Sequence, residues 1–378
     1  MLSILYISGL NKKRRKYDGE RIKNTIIFKT IKKKYNVSLI NLSIFKVINT
    51  IRIFLNGLFL KRKYDYIVIS KDPHGANIIH KLLKLAKYPS NKIIYFEIGP
   101  FLYDRILNGS IKIETFINDK LIVVETPSMK KELESLGFNN IDVFPNFKPE
   151  VQIDFLKKKY PTNVLELVFL SRIEEKKGLY DLIDTLALLN SKVVRFRLSI
   201  YGRIQSKEDA NRLNEYLKKY SFLEYKGKLD VGSKNSYIEL SNYDLHTFPT
   251  QYTEGFPGSL IDFFIAGVPT ISSSFARAHE ILSQNDSIIY KQFDNKDLYN
   301  KLEYIYQHQE LLIKLRKNSF EKRKQYSVTS FENYLDEILW GIMYEFYCLG
   351  YWWFQRHGSN ASIRATQRCK YFIFDYRI

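Results

Sequence analysis

The chain has 378 residues, enough for two domains with a core each. Its apolar fraction of 45% is that of a globular protein, and its two cysteines, Cys348 and Cys369, are too few for a disulfide framework or a cysteine metal cluster. The net charge is +19 and uneven, with 27 Lys and Arg against 13 Asp and Glu in residues 1–150.

The first element is a strand-like run over 3–8, preceded by no signal-peptide pattern. The expected location is the cytoplasm. The basic excess is densest from Lys12 to Lys34, where only Asp18 and Glu20 oppose it. A one-sided basic surface points to an anionic partner: a phosphorylated substrate, an acidic membrane or nucleic acid. A solvated lysine-rich face is the plain alternative. No nucleic-acid-binding motif is present, so nucleic acid is not expected as a partner. Further strand-like runs follow at 37–41, 66–70, 93–96, 121–125 and 141–144, with helical patterns at 75–88 and 128–136. Ser128 reads as the N-cap of the latter and Gly137 as its C-terminal stop. This alternation specifies a parallel sheet wrapped by helices.

Residues 149–163 form a polar, lysine-rich linker between a first domain over 1–148 and a second over 164–325. The rhythm restarts with strand-like runs at 165–170, 194–201, 222–225, 245–248, 270–272 and 287–290. Two doubly wound domains joined once place a ligand crevice between the carboxyl ends of both sheets. From 326 onward the chain reads as a terminal helix and an aromatic tail holding all three tryptophans, Trp340, Trp352 and Trp353. Part of it suits burial, and the crowding at 351–354 suits a membrane interface. No uncharged apolar run reaches the ~20 residues needed to span a bilayer.

Two stretches of the second domain carry the chemistry. In the first, Arg172 and Lys177 follow a buried strand, and Gly178 turns the chain into a helix over 179–189. Two cations at a strand-to-helix junction make a diphosphate clamp. In the second, Glu254 precedes Gly255-Phe256-Pro257-Gly258-Ser259, and Asp262 lies eight residues after it in an apolar helix. Free N–H groups at a helix start suit an anion, and carboxylates suit hydroxyls. No His/Cys/carboxylate group has metal-ligand spacing.

Glu254-Gly-Phe-Pro with Asp262, the Arg172…Lys177-Gly178 run, Ala266-Gly267-Val268-Pro269-Thr270-Ile271, Pro145-Asn146 and Ser199-Ile200-Tyr201-Gly202 together resemble the family 4 glycosyltransferases. These are retaining enzymes of the GT-B fold, with two Rossmann-like domains facing each other across a cleft. The resemblance is specific in the second domain and looser in the first. It implies that Arg172 and Lys177 contact the diphosphate of a UDP- or GDP-sugar, and that Glu254 lies at the sugar's reacting face. It also implies that the amides after Glu254 bind phosphate and that the second acid holds the ribose. Gly202 would neighbour the nucleotide and Gly9 would approach the donor phosphate. The second acid is Asp262 where the family has Glu, a reach shorter by roughly 1.5 Å. A ribose contact is then kept by a small helix shift, bridged by water or lost. Lys176 stands where the family has Glu. Glu97 stands where others have a catalytic His or Asp. It either orients an acceptor hydroxyl or caps nearby amides. His74 is a further strand-end candidate, and His246 reads as structural.

The resulting expectation is a metal-independent, cofactor-free hexosyltransferase, with Glu254 and Glu97 as catalytic residues. It would move sugar to a growing lipid-linked surface glycan at the inner face of the membrane, an anionic surface. The alternative is an inactive GT-B-like subunit that partners a second glycosyltransferase, or binds glycan or anionic lipid.

Overall fold

The computed structural model describes residues 2–10, 19–43, 46–59 and 63–339. The first part of the basic cluster, residues 12–18, and the tail from 340 lie outside the described residues. The chain divides into a unit over 1–331 and a second from 332, whose described residues 332–339 are helical.

The first domain runs β1 (Ser3–Ser8), α1 (Gly19–Lys34), β2 (Asn36–Asn41), α2 (Lys46–Phe59), β3 (Tyr66–Lys71), α3 (Pro73–Leu85), β4 (Ile93–Glu97), α4 (Leu102–Leu107), β5 (Leu121–Val124), α5 (Pro127–Ser135) and β6 (Ile141–Val143). Its strands form one parallel sheet in the order β2-β1-β3-β4-β5-β6. The inner strands are apolar without alternation because helices cover both faces. Ile7, Ile69, Tyr95, Ile122 and Val124 form the centre of the core. The helices α1 and α2 lie where the sequence showed no periodic pattern. In α5 the N-cap is Thr126, not Ser128: its hydroxyl accepts from the Met129 amide, and Pro127 takes the first turn. Pro127 lacks the N–H that would be orphaned there, which moves the start two residues upstream.

The second domain runs β7 (Leu165–Leu170), α6 (Leu179–Leu189), β8 (Phe196–Tyr201), α7 (Lys207–Lys219), β9 (Leu223–Gly227), α8 (Lys234–Ser241), β10 (Leu245–Phe248), α9 (Gly258–Ala266), β11 (Thr270–Ser273), α10 (Ala278–Ile281), β12 (Ser287–Tyr290), α11 (Asn295–Gln307) and α12 (Leu311–Lys322). Its parallel sheet has the order β12-β11-β10-β7-β8-β9. The chain order reverses beside β7, which leaves a crevice at the carboxyl ends of β7 and β10. Helix α9 is apolar apart from Ser259 and Asp262, and Leu260, Ile261, Phe263 and Phe264 are all fully buried. After α12 the chain returns to the first domain. Lys148 N donates to Tyr326 O at 3.0 Å, and Phe331 stacks on Phe147 with centroids 4.2 Å apart.

Candidate active site

The carboxyl ends of both sheets open into a cleft of about 330 Å³. The first domain lines it with Gly19, Glu20, Lys23, Ile98 to Phe101, Glu125, Asn146 and Lys148. The second domain contributes Arg172 and the loop from Tyr252 to Gly258. The sequence-derived motifs therefore meet in space, although about 80 residues separate them along the chain.

Two glycines make this convergence possible. Gly178 has φ +70°, and a Cβ there would lie 1.9 Å from the Pro249 carbonyl oxygen. The turn after β7 thus packs directly on the exit of β10. Gly202 serves the neighbouring strand: its Cβ would lie 1.8 Å from the Ser171 carbonyl oxygen. Neither approach tolerates a side chain. The packing sets Lys177 beside Glu254, and the Lys177 ammonium is hydrogen-bonded to Glu254 Oε1. Thr250 Oγ1 donates to the same oxygen at 2.9 Å. The ring of Tyr252 faces both Lys176 and Lys177, with ammonium-to-centroid distances of 5.7 and 5.5 Å. Such contacts hold the cations near the loop without neutralising them. Arg172 is more exposed and pairs with Glu174 Oε1 at 3.1 Å.

The turn after Glu254 is gripped from the first domain. Glu125, one residue past β5, accepts from the Phe256 amide through Oε2 at 3.0 Å. Its Oε1 takes the Lys23 ammonium at 2.5 Å. Asn146 Nδ2 donates to the Phe256 carbonyl at 3.0 Å. Gly255 allows the approach: a Cβ there would lie 2.8 Å from Glu125 Oε2. Arg277 ties the domains further, with Nη2 donating to the Glu132 carboxylate at 2.6 and 2.8 Å and Nη1 to the Glu254 carbonyl at 3.4 Å. Glu280 Oε2 accepts from the Ser128 amide at 2.9 Å. These contacts describe two domains drawn together around the Glu254 loop.

The remaining candidates fall differently. Asp262 is buried, and both its oxygens point away from bulk solvent. Oδ1 accepts from Tyr237 OH at 3.0 Å, and Oδ2 takes the Lys148 ammonium at 2.9 Å. Burial, then the Asp262 charge, pushes the Tyr237 phenol well above its usual range. Glu97 is 2% exposed and does not line the cleft. Its Oε1 accepts from the Leu102 and Phe101 amides at 2.8 and 3.1 Å, which places it as a cap for α4. Burial, then the nearby Glu125 charge, outweighs those bonds and the Arg277 cation and lifts its pKa to about 8. The side chain is thus a neutral acid at neutral pH. Of the two roles the sequence leaves open for Glu97, orienting an acceptor hydroxyl or capping amides, its bonds with the Leu102 and Phe101 amides are those of a cap. The Gly9 carbonyl accepts from Asn24 Nδ2 at 3.4 Å behind the cleft wall. Ser259 stands in the first turn of α9. His74 occupies the first turn of α3 with its side chain outward. His246 is buried, stacked on Phe263 with centroids 3.7 Å apart, as a structural histidine is. Burial lowers its pKa far below the usual histidine range.

Lys23, Glu125, Lys148, Tyr237, Tyr252 and Arg277 were not singled out from sequence. Glu125 had one weak signal, a carboxylate ending an apolar strand. Lys148 had only its place beside Pro145-Asn146. Among the described residues, no group of three His, Cys, Asp or Glu side chains could hold a metal ion. Nor is any described helix long and apolar enough to cross a membrane.

Comparison with known proteins bears on the fold. Residues 151–322 match the family model described as "Glycosyl transferases group 1". A search of curated proteins returned no match. Among solved structures, the chain is similar to Anabaena HepE in complex with UDP, with a TM-score of 0.68 and 13% identity over 90% of this chain and 100% of that one. It is also similar to sucrose-phosphate synthase from Thermosynechococcus elongatus, at 0.67 and 12% over 91% of this chain and 100% of that one. The apo form of the lipopolysaccharide outer core galactosyltransferase WaaB gives 0.64 and 16% over 89% of this chain and 99% of that one. At these identities the likeness is one of fold. The chain has the GT-B fold, two facing Rossmann-like domains, and its second domain carries the glycosyl transferases group 1 pattern.

Proposed function

We propose that the protein is a retaining glycosyltransferase that takes a sugar from a nucleoside diphosphate donor, a UDP- or GDP-sugar. The observation that carries this reading is the convergence of Arg172, the Lys177–Glu254 pair and the start of α9 on one cleft between the domains. Arg172, Lys177 and the amides of Gly255, Gly258 and Ser259 bind the diphosphate. When the bond from the sugar's anomeric carbon to the phosphate oxygen breaks, its electron pair stays on that oxygen. Fixed cations and the helix dipole stabilise the developing charge, so the transfer needs no metal ion. The acceptor hydroxyl attacks from the face the diphosphate leaves, and its proton passes to the departing phosphate. Glu254 positions the sugar, with its carboxylate held by Lys177 and Thr250. Glu97 acts through the wall, fixing the 98–101 loop that lines the acceptor side.

The acceptor in this reading is a growing, lipid-linked bacterial surface glycan. The basic first domain attracts the enzyme to the anionic inner face of the membrane, where polysaccharide biosynthesis would use it. A second reading, an inactive partner or lipid-binding subunit, is favoured by the inward-turned Asp262 alone. One assay separates the two. Purified protein is incubated with UDP- and GDP-sugars, and release of the nucleoside diphosphate is followed. The enzyme reading predicts release that falls at least a hundredfold in Glu254→Gln, about 2.7 kcal/mol of transition-state stabilisation. No release, or release indifferent to Glu254→Gln, sinks it.

A further inference from the structure

Lys148 closes the first domain, two residues after the asparagine that holds the Phe256 carbonyl. Its ammonium lines the cleft and donates to Asp262 Oδ2 at 2.9 Å. It also lies against the first residue of α9. A Cβ on Gly258 would sit 3.5 Å from Lys148 Cε and 3.7 Å from Nζ. A cation over the amino end of a helix meets positive potential, so its position needs a nearby anion. Asp262 supplies that anion from inside α9, and Tyr237 fixes the other carboxylate oxygen at 3.0 Å. Both oxygens of Asp262 are therefore spent on orienting neighbours. Aspartate's shorter reach, by roughly one C–C bond relative to glutamate, keeps the carboxylate back from the cleft. Lys148, Arg172 and the first turn of α9 line the same cleft, and the carboxylates that line it with them, Glu20, Glu125 and Glu254, are each paired with a lysine, Lys71, Lys23 and Lys177.

We propose that Lys148 is a third diphosphate-binding cation of this site, and that Asp262 is its positioning residue rather than a ribose ligand. The inference rests on the donor-site reading above and assigns one of its parts differently. A lysine side chain has four flexible bonds, and immobilising it on phosphate costs entropy. The Tyr237–Asp262 pair settles that cost before the donor arrives. Charge-assisted contacts to phosphate are the stronger kind, so Lys148 should matter for the anion and not for the nucleoside.

The test is calorimetric titration of the full chain with inorganic pyrophosphate, uridine, guanosine, UDP and GDP. Lys148→Met keeps the apolar stem and removes the charge. It should weaken pyrophosphate and the tighter nucleoside diphosphate roughly tenfold to a hundredfold and leave the nucleosides unchanged. Lys148→Arg should restore part of the loss. Asp262→Asn should weaken the same ligands less, and the double variant should be no worse than Lys148→Met alone. Melting curves near wild type exclude misfolding, and Lys148→Arg serves if Asp262→Asn fails to fold. Equal pyrophosphate affinity in wild type and Lys148→Met overturns the proposal. So does an Asp262→Asn variant that loses nucleoside binding and keeps pyrophosphate, the pattern of a ribose ligand. If wild type binds neither pyrophosphate nor a nucleoside diphosphate, the donor-site reading itself falls.

Discussion

Replacing Glu97 by glutamine removes a titrating group and leaves its geometry nearly intact. Glutamine keeps an oxygen to accept from the Phe101 and Leu102 amides, the two bonds that Glu97 Oε1 makes. What changes is the response to pH. The ordinary glutamate value is 4.5, and burial raises that of Glu97 to about 8. Below about pH 4.5 both folded and unfolded chains carry the proton, and the residue has no pH-dependent effect. Between the two values only the folded chain holds the proton, so stability falls as pH rises. Above pH 8 the loss is complete. The slope approaches 1.36 kcal/mol per pH unit, so a span of about 3.5 units sets an upper bound of roughly 5 kcal/mol. Relaxation and water entry reduce it, and a measured loss of about 2 kcal/mol would agree with the structure. Urea unfolding of wild type and Glu97→Gln at pH 5, 6.5, 8 and 9 reads this directly. Relative to wild type, the variant should be least favoured at pH 5 and gain steadily toward pH 8. Curves that stay parallel from pH 5 to 9 would refute a buried neutral acid at this position.

Other perturbations follow from the close approaches in the site. Gly178→Ala places a methyl 1.9 Å from a backbone oxygen at a φ of +70°. It should destabilise the second domain by more than about 2 kcal/mol, visible as a lowered melting temperature; an unchanged melting curve contradicts the packing described. Gly255→Ala meets the end of a flexible side chain instead, Glu125 Oε2 at 2.8 Å. The fold should survive while the Glu125–Phe256 bond loosens, so hydrogen exchange at the Phe256 amide should speed up at least tenfold. Unaltered exchange would mean that this bond does not protect that amide.

Much of the fold is legible in the sequence because its strands are central and parallel. The runs at 165–170 and 245–248 coincide with β7 and β10, which are buried on both faces and need no alternation. Helix α1 escaped because Lys and Arg occur all around it, and even Lys23 on its inner face is buried by pairing with Glu125. The second-domain half of the site was legible for a related reason. Arg172 with Lys177, and Glu254 with Asp262, each lie in a single local run whose turn chemistry can be read directly. The first-domain half was not, because its contacts cross the domains. Glu125 meets Phe256 across 131 positions and Lys148 meets Asp262 across 114. No periodicity or spacing encodes such pairs; only the facing of the two sheets brings them together. Glu97 shows the same limit from the other side. Its place at a strand end is evident, whereas its burial depends on α4 folding back over it.

The most direct test of the account is nucleotide binding at the cleft. The protein is titrated with UDP and with GDP at fixed salt, in wild type and in Arg172→Ala, and followed by thermal unfolding. Binding at a hundredfold excess over Kd should stabilise the wild-type fold by about 2.7 kcal/mol. Arg172 is exposed and bonded to Glu174, so its loss should leave the free protein's stability nearly unchanged. The account predicts a melting temperature that rises with UDP or GDP in wild type and rises far less in Arg172→Ala. A wild-type protein indifferent to both nucleotides, or an Arg172→Ala variant stabilised as fully as wild type, would contradict it.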